Sequence, residues 1–381
     1  MNGLSRFETE VLHNVKNKRP IKSKVTPIYQ TTAFAFDDLD ELEGFYHGNG
    51  NYLYSRVANP NTDELAAAVA GLEGAPAGVA TSSGLSAILA GVLAVVKNGD
   101  HIVAAEDLYG GSFHLLKEEL DQFGVEVSFV SFSDLSSIEA AIQPNTKLIY
   151  TESITNPLLR VQDLAEFVRI GKEHNLVTLV DNTFATPYHC KPYNLGVDLV
   201  VHSATKYIGG HSDVTAGVVV GREDLIEKAQ AKVVNLGTNV SPFEAWLTTR
   251  GLKTLALRME RQSSNARLLA VALQSNELIE KVYYPFEHGD DGYGAIVTIK
   301  LSNGIDMNEF FKNLAWVKIA STLAGVETIV SHPVTTSHRA LPEEAREALG
   351  ITFEVVRISV GIEHAQDIIE VFEQAVSKAA K

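Results

Sequence analysis

Short, continuously apolar runs alternate with helical segments between about residues 60 and 220, and this alternation constrains the fold more than any other feature. Strands covered on both faces are apolar throughout, whereas strands with one wet face alternate apolar and polar residues. The predicted strands are His101–Ala105, Val125–Val130, Lys147–Thr151, Leu176–Val180, Val197–Val201 and Thr215–Val220. The helices predicted around them are Asn61–Leu72, Gly84–Val96, Ser112–Phe123, Asp134–Ile142 and Gln162–His174. The pattern predicts an α/β fold with a mainly parallel sheet flanked by helices.

A chain of 381 residues is longer than a single hydrophobic core usually serves, so at least two domains are expected. The predicted division is an N-terminal arm at 1–55, irregular over most of its length, a large domain at 56–245 and a small C-terminal α+β domain at 246–381. A long helical stretch from Pro242 to about Gln274 is expected at the hinge between the two domains. The small domain is predicted to contain strands at Ala295–Leu301, Val317–Ala320 and Val355–Val360 and helices at Asp306–Asn313 and Ala365–Ala379.

Charge and cysteine content limit the partners and the compartment. The chain has 32 Lys plus Arg against 47 Asp plus Glu, a net charge of −15, which disfavours a nucleic-acid partner. A single cysteine, Cys190, excludes an intrachain disulfide and suits a reducing compartment. The N-terminus lacks the apolar core of a signal peptide, and the most apolar stretch is too short to span a bilayer. We therefore expect a cytoplasmic protein with no membrane partner. One short basic cluster, read as a solvated part of the arm or else as a partner-binding strip, consists of Lys16, Lys18, Arg19, Lys22 and Lys24.

A lysine that follows a predicted strand is the strongest chemical signal. Lys206 stands in the segment Ser203-Ala-Thr-Lys-Tyr, just beyond the strand at Val197–Val201. Burial can lower a lysine pKa by several units, and the neutral amine can then form a Schiff base with a carbonyl. Ser203 and Thr205 add hydroxyl groups suited to a phosphate. Taken alone, the same residues suit a surface turn equally well.

Three further positions follow strands or begin helices. Asp181 comes directly after a strand, where a carboxylate can pair with a protonated ring nitrogen. The segment Thr81-Ser-Ser-Gly84 opens a helix, whose first N–H groups attract an anion. Tyr109, after another strand, can stack on an aromatic ring. Each position has an ordinary structural alternative: an Asp cap, a Ser cap and a core aromatic.

These positions together match the chemical needs of one small molecule. Pyridoxal 5′-phosphate (PLP) has an aldehyde for an amine, a pyridinium for a carboxylate and a phosphate for a helix N-terminus. No G-x-G-x-x-G follows a strand, so a nicotinamide cofactor is not indicated. The histidines His202, His211, His332 and His338 have no ligand spacing on one element, so no metal ion is expected.

The sequence resembles the Cys/Met-metabolism family of PLP-dependent enzymes over nearly its whole length. That family includes cystathionine γ-lyase, cystathionine γ-synthase, cystathionine β-lyase and methionine γ-lyase. The resemblance is densest at Tyr54-Ser-Arg56, Asn59-Pro-Asn61, Ser82-Ser-Gly84, Asp107-Leu-Tyr-Gly-Gly111, Asn156-Pro-Leu158, Asp181-Asn-Thr-Phe184, His202 to His211, Arg250 to Thr254 and Arg357 to Gly361. It implies the aspartate-aminotransferase type of PLP-dependent transferase fold, with a seven-stranded, mainly parallel sheet and a smaller α+β C-terminal domain.

The resemblance also implies roles for individual residues. Lys206 would form the Schiff base and move protons, Asp181 would hold the pyridine nitrogen, and Tyr109 would stack on the ring. The phosphate would be bound by Ser83, Gly84, Leu85, Ser203 and Thr205 and, from the neighbouring subunit of an active dimer within a homotetramer, by Tyr54 and Arg56. The substrate would meet Asn156, which can also contact the cofactor, together with Thr322 and Arg357.

The implied reaction is a PLP-dependent elimination or replacement on a sulfur-containing amino acid. Cystathionine γ-lyase chemistry, which cleaves L-cystathionine to cysteine, 2-oxobutanoate and ammonia, is the leading expectation. The alternatives within the family are cystathionine γ-synthase, methionine or homocysteine γ-lyase and cystathionine β-lyase; outside it, they are a PLP aminotransferase and a non-catalytic oligomeric binding protein. Ser321 stands where cystathionine γ-enzymes often have a glutamate, which weakens recognition of the distal amine of cystathionine.

Overall fold

The computed structural model describes residues 6–15, 22–49, 52–339 and 341–380. Lys16, Lys18 and Arg19 of the basic cluster lie outside these residues, as do other parts of the predicted arm. Within the described ranges, no helix is long and apolar enough to cross a membrane.

The larger sheet confirms the predicted α/β class. Within the described residues, its seven strands are β1 (Ala77–Thr81), β2 (His101–Ala105), β3 (Glu126–Val130), β4 (Thr146–Glu152), β5 (Val177–Asp181), β6 (Leu199–His202) and β7 (Gly217–Gly221). They lie in the order β1-β7-β6-β5-β4-β2-β3. Strands β2 to β6 are parallel, and β7 is antiparallel to both β1 and β6. The sheet is therefore mainly parallel, as predicted.

Helices pack against this sheet and continue into the C-terminal part of the chain. The described helices are α1 (Phe7–His13), α2 (Leu39–Tyr46), α3 (Pro60–Glu73), α4 (Gly84–Leu93), α5 (Gly110–His114), α6 (Leu120–Gln122), α7 (Leu135–Ala141), α8 (Leu164–Glu173), α9 (Thr186–His189), α10 (Glu223–Leu236), α11 (Pro242–Leu252), α12 (Leu255–Gln274), α13 (Met307–Lys312), α14 (Glu343–Ala348) and α15 (Ala365–Ala379). A π-helical turn at Leu115–Glu119 joins α5 to α6. Helix α3 packs against β1, α4 against β6 and β7, and α8 against β5.

A second sheet lies in the C-terminal part of the chain and has its own apolar core. Its strands are β8 (Ile279–Tyr283), β9 (Ile296–Leu301), β10 (Lys318–Ile319), β11 (Ile329–Ser331) and β12 (Val355–Ser359), in the order β10-β11-β12-β9-β8. Helix α15 buries Ile368, Val371, Phe372, Ala375 and Val376, whose spacing of one, three or four residues places them on one helical face. The sheet and its helices form the expected smaller α+β part, although the predicted domain limits at 55/56 and 245/246 stay a prediction.

Two expectations about helices were wrong. The arm contains helices α1 and α2, because Val11 of α1 is buried against the larger core and the Asp38 side chain accepts the N–H of Glu41 to cap α2. The predicted single stretch from Pro242 to Gln274 is interrupted near Lys253, where α11 ends before α12 begins.

The sheet brings polar residues from distant parts of the sequence to one edge. Glu152 ends β4, Asp181 ends β5 and His202 ends β6, and these three strands are parallel neighbours. The carboxyl ends of parallel strands are the usual place for a ligand in an open α/β sheet. This edge is therefore the expected position of a site.

Candidate active site

A cavity of about 500 Å³ lies at the carboxyl ends of strands β4 to β6. One wall comes from residues at or beyond the strand ends, including Glu152, Asp181 and Ser203. Another comes from the C-terminal part of the chain, including Thr322 and Arg357. The cavity has the size and the mixed polar lining of a small-molecule site.

Lys206 reaches this cavity from the loop that follows β6. Its Nζ donates a hydrogen bond to Oγ1 of Thr322 at 3.0 Å. Burial, followed by the positive charge of Arg357, lowers the pKa of Lys206 from 10.5 to about 8. A much larger fraction of this amine is therefore neutral and nucleophilic near neutral pH than in an ordinary lysine.

Asp181 is the last residue of β5 and lines the same cavity. One carboxylate oxygen accepts hydrogen bonds from the backbone N–H of Thr183 at 2.9 Å and from its hydroxyl at 2.5 Å. Burial raises the pKa of Asp181, while these two donors oppose that rise by stabilising the charged form. The hydroxyl oxygen of Thr183 also accepts the N–H of Ser203, which ties the end of β5 to the loop after β6.

Hydroxyl groups and a helix N-terminus meet at another side of the cavity. Ser83 is the N-cap of α4, and its Oγ accepts the N–H of Ser86 at 3.1 Å. Gly84 follows it so closely packed that an added Cβ would lie 2.6 Å from Cβ of Ser203. Thr205 and Leu85 complete this part of the lining. Because glycine alone fits here, the start of α4 can lie directly beside Ser203, and the two together form a compact anion-binding surface.

Arg357 brings a buried guanidinium to the cavity from β12. Its Nη1 donates to Oδ1 of Asn156 at 3.0 Å and its Nη2 donates to the carbonyl of Thr322 at 3.0 Å. Its Nε is buried without a hydrogen-bond partner among the described residues. Burial lowers the pKa of Arg357 to about 10, which leaves the group charged at neutral pH. A guanidinium with an unused buried donor is suited to binding a carboxylate.

Tyr109 lies at the mouth of the cavity, with 40% of its surface exposed. It immediately precedes α5, and its backbone N–H donates to Oε1 of Glu152 at 2.7 Å. The exposed ring is thus attached to a backbone fixed by a buried carboxyl. A planar ligand in the cavity could stack on this ring.

Two predicted residues lie elsewhere in the single chain. Arg56 donates to the carbonyl of Val234 at 3.1 Å, and its guanidinium lies 5.6 Å from the centre of the Tyr54 ring. Neither residue lines the cavity. The structure therefore brings the other predicted residues together and leaves Tyr54 and Arg56 outside.

The cavity also contains residues to which the sequence analysis gave no role. They are Glu152, Ile154, Phe184, Leu323 and the segment Thr335–Ser337. Glu152 had a detectable signal, because it ends an apolar strand on the same edge as Asp181. The segment 335–337 had none, because it follows β11, a three-residue strand that the sequence pattern did not reveal.

The side chains present fit PLP. A lysine with a lowered pKa matches the aldehyde, and a buried carboxylate matches the ring nitrogen. The packed start of α4 beside Ser203 matches the phosphate. Among the described residues, no three His, Cys, Asp or Glu side chains come together in a group that could hold a metal ion.

Comparison with protein families places the chain beside enzymes with this chemistry. The profile of the family described as "Cys/Met metabolism PLP-dependent enzyme" matches residues 8–377. The L-methionine gamma-lyase of Fusobacterium nucleatum is 40% identical over 98% of this chain and 98% of its own length.

Solved structures show the same fold. The cystathionine gamma-lyase of Lactobacillus plantarum, crystallised with L-serine, has a TM-score of 0.92 and 36% identity, over 99% of this chain and 100% of its own. A Campylobacter jejuni protein with the provisional name O-acetylhomoserine (thiol)-lyase has a TM-score of 0.93 and 29% identity, over 98% of this chain and 100% of its own. One lysine of that protein carries pyridoxyl 5′-monophosphate. The similar proteins thus share a fold while their names describe different reactions.

Proposed function

Because the chain belongs to the Cys/Met-metabolism family of PLP-dependent enzymes, we propose that it is a carbon–sulfur lyase that cleaves L-cystathionine to cysteine, 2-oxobutanoate and ammonia. The observation that carries this proposal is the buried amine of Lys206, with its pKa lowered to about 8, in one cavity with Asp181 and Arg357. PLP, when bound, supplies an aldehyde that captures amino groups and a ring that withdraws electrons from the substrate α-carbon.

Lys206 is the residue proposed to hold the cofactor and to move protons. Once the substrate amine has taken its place, Nζ of Lys206 is free to accept the proton of the substrate α-carbon. A pKa of about 8 lets the same nitrogen take up and release a proton near neutral pH. Thr322 accepts a hydrogen bond from Nζ at 3.0 Å and thereby orients the amine.

Asp181 and the start of α4 are proposed to bind the two ends of the cofactor. An ionised Asp181, stabilised by the two donors of Thr183, would hold the ring nitrogen in its protonated form. Ser83, Gly84, Leu85, Ser203 and Thr205 would bind the phosphate, and Tyr109 would stack on the ring. This division of roles fixes the ring between its two polar ends.

The substrate carboxylate is proposed to bind Arg357. Asn156 and the carbonyl of Thr322 each accept one hydrogen bond from the guanidinium, so its plane is set before the substrate arrives. Nε offers a further donor that the described residues leave unused. A preoriented guanidinium gives a bidentate contact that a lysine cannot reproduce.

We also propose that the active unit is a dimer, within a homotetramer, in which Tyr54 and Arg56 complete the phosphate site of the partner. Their position outside the cavity of their own chain supports this assignment. Mixing inactive Arg56→Ala and Lys206→Ala proteins and allowing the subunits to exchange should restore part of the activity, since one of the two sites in each mixed dimer would be intact. Exchange proved by mass, without any return of activity, would contradict the shared site.

A second candidate is methionine or homocysteine γ-lyase. Ser321 lines the cavity next to Thr322, so a neutral hydroxyl stands where a glutamate would attract a second amino group. A substrate with an uncharged distal end would fit this wall. Cystathionine γ-synthase, cystathionine β-lyase and, outside the family, an aminotransferase are further outcomes that the same assay separates. We propose a cytoplasmic location, which the single cysteine supports.

A substrate panel tests the proposal. L-Cystathionine, L-homocysteine, L-methionine and an activated homoserine ester with cysteine are each supplied to the PLP-loaded protein. Cysteine with 2-oxobutanoate and ammonia supports the leading proposal, homocysteine with pyruvate indicates β-cleavage, and cystathionine from the ester indicates a synthase. Lys206→Ala should abolish every product, whereas the exposed control Lys253→Ala should leave turnover unchanged. Turnover by Lys206→Ala at the wild-type rate would refute the assignment.

A further inference from the structure

We propose that Glu152 is a positioning residue that bears a proton in the native protein, fixes the backbone of Tyr109 and leaves Asp181 as the ionised member of a carboxyl pair. The inference rests on the proposed function, because the purpose of the pair is to keep a negative charge beside the ring nitrogen of bound PLP. Glu152 lines the cavity and is 5% exposed.

The two carboxyl groups are brought together by the sheet. Glu152 ends β4 and Asp181 ends β5, and the two residues are register partners on adjacent parallel strands. Register partners on neighbouring strands lie about 5 Å apart, and their side chains project to the same face. Both residues line the cavity. Two carboxyl groups this close and this buried are strongly opposed to being ionised together.

Hydrogen bonding decides which member keeps the proton. Asp181 accepts two hydrogen bonds from Thr183, whereas Glu152 accepts one, from the backbone of Tyr109. The positive field of His202 also lowers the pKa of Asp181. The Glu152 pKa is raised well above its usual value, first by burial and then by Asp181. The proton is therefore held by Glu152.

Other groups around the pair do not reverse this assignment. The charge of Asp107 raises the pKa of Glu152 and that of Arg160 lowers it, and those two residues are themselves paired at 2.8 Å. The buried hydroxyl of Tyr150 has its own pKa raised by both carboxyl groups. The pair is therefore surrounded by one neutralised ion pair and one neutral phenol.

The contact with Tyr109 gives Glu152 its positioning role. Tyr109 directly precedes the first turn of α5, so the conformation of its backbone sets the direction of the ring. Oε1 of Glu152 accepts the N–H of Tyr109 at 2.7 Å. A glutamine at this position retains a carbonyl oxygen for that N–H and has no charge, as the protonated acid has none. An alanine removes the acceptor.

Cofactor binding separates these two substitutions. PLP is titrated into the apo forms of wild type, Glu152→Gln and Glu152→Ala, and binding is followed by absorbance. We expect Glu152→Gln to bind within about twofold of wild type and Glu152→Ala to bind roughly tenfold more weakly. Equal weakening in both variants would overturn the inference, because it would mean that the negative charge of Glu152 is required. Wild type that binds no PLP would refute the proposed function instead.

Infrared spectroscopy of the holoenzyme tests the proton directly and does not depend on either variant folding. At about pH 8, wild type should show the carbonyl stretch of a protonated carboxylic acid. The band should shift when the glutamates are labelled with ¹³C and should not shift when the aspartates are. It should persist in Glu73→Gln, a matched control at a glutamate that is equally buried but bonded to His202 and Asn182. No band, or a band that shifts with labelled aspartate, would overturn the inference.

Discussion

Titration of the Lys206 amine is the most quantitative consequence of the site. Burial and the charge of Arg357 lower the pKa of Lys206 from 10.5 to about 8. At about pH 7, roughly a tenth of such an amine is neutral, against a few parts in ten thousand for an ordinary lysine. We therefore expect Lys206 to carry about 300 times more neutral amine than an unperturbed lysine at that pH.

Competitive acetylation measures this difference in the native apoprotein. Acetic anhydride acylates only neutral amines, and peptide mass spectrometry reports the extent of reaction at each lysine. From about pH 6 to about pH 11, the Lys206 reaction should level off near pH 8. Lys312 is an internal control, because its hydrogen bond to Glu309 raises its pKa above 10.5.

Replacing Arg357 tests the second cause of the shift. In Arg357→Met, the positive neighbour is gone, so the Lys206 pKa should rise and its acetylation should level off at a higher pH. The opposite sign, or no change, would leave burial as the sole cause. If Lys206 acetylation followed the curve of Lys312 in wild type, the argument that this site holds a nucleophilic amine would be wrong.

Three further substitutions have defined outcomes. Gly84→Ala should weaken PLP binding by about tenfold or more in a spectroscopic titration, because the added Cβ would lie 2.6 Å from Cβ of Ser203; unchanged affinity would contradict the close approach. Arg357→Lys should lower kcat/KM by roughly 10- to 100-fold, as one charged, bidentate contact is lost; a steady-state assay with little change would exclude Arg357 as the carboxylate ligand. Burial lowers the pKa of His189 from 6.5 to about 4, so the unfolded chain binds the extra proton, and stability present above pH 6.5 is lost as the pH falls toward 4, by up to about 3 kcal/mol. His189→Gln should flatten this dependence in urea unfolding, whereas substitution of the exposed His47 should not.

Several strands and two site residues could be predicted from local sequence. Strand β2 was predicted with its observed limits, because a fully buried strand of a parallel sheet is apolar at every position. Asp181 and Lys206 were found because parallel strands present their carboxyl ends at one edge, whatever the rest of the fold. In such cases, the pattern within a few residues determines the structure.

Other features depend on partners that are distant in the chain. Strand β1 has the sequence Ala-Gly-Val-Ala-Thr, which lacks a β-branched run, and it pairs with β7 through residues more than a hundred positions away. Arg357 reaches Asn156 only because the second sheet packs beside the first. The proton on Glu152 depends on its register with Asp181, which no local pattern reveals.

The most direct test of the central claim is to locate the covalent attachment of PLP. The holoenzyme is reduced with borohydride, which makes an imine bond permanent, and is then digested and mapped by mass spectrometry. The account predicts a phosphopyridoxyl group on the peptide that contains Lys206, with Lys206→Ala unlabelled. A phosphopyridoxyl group on a different lysine of wild type, or on none, would contradict it.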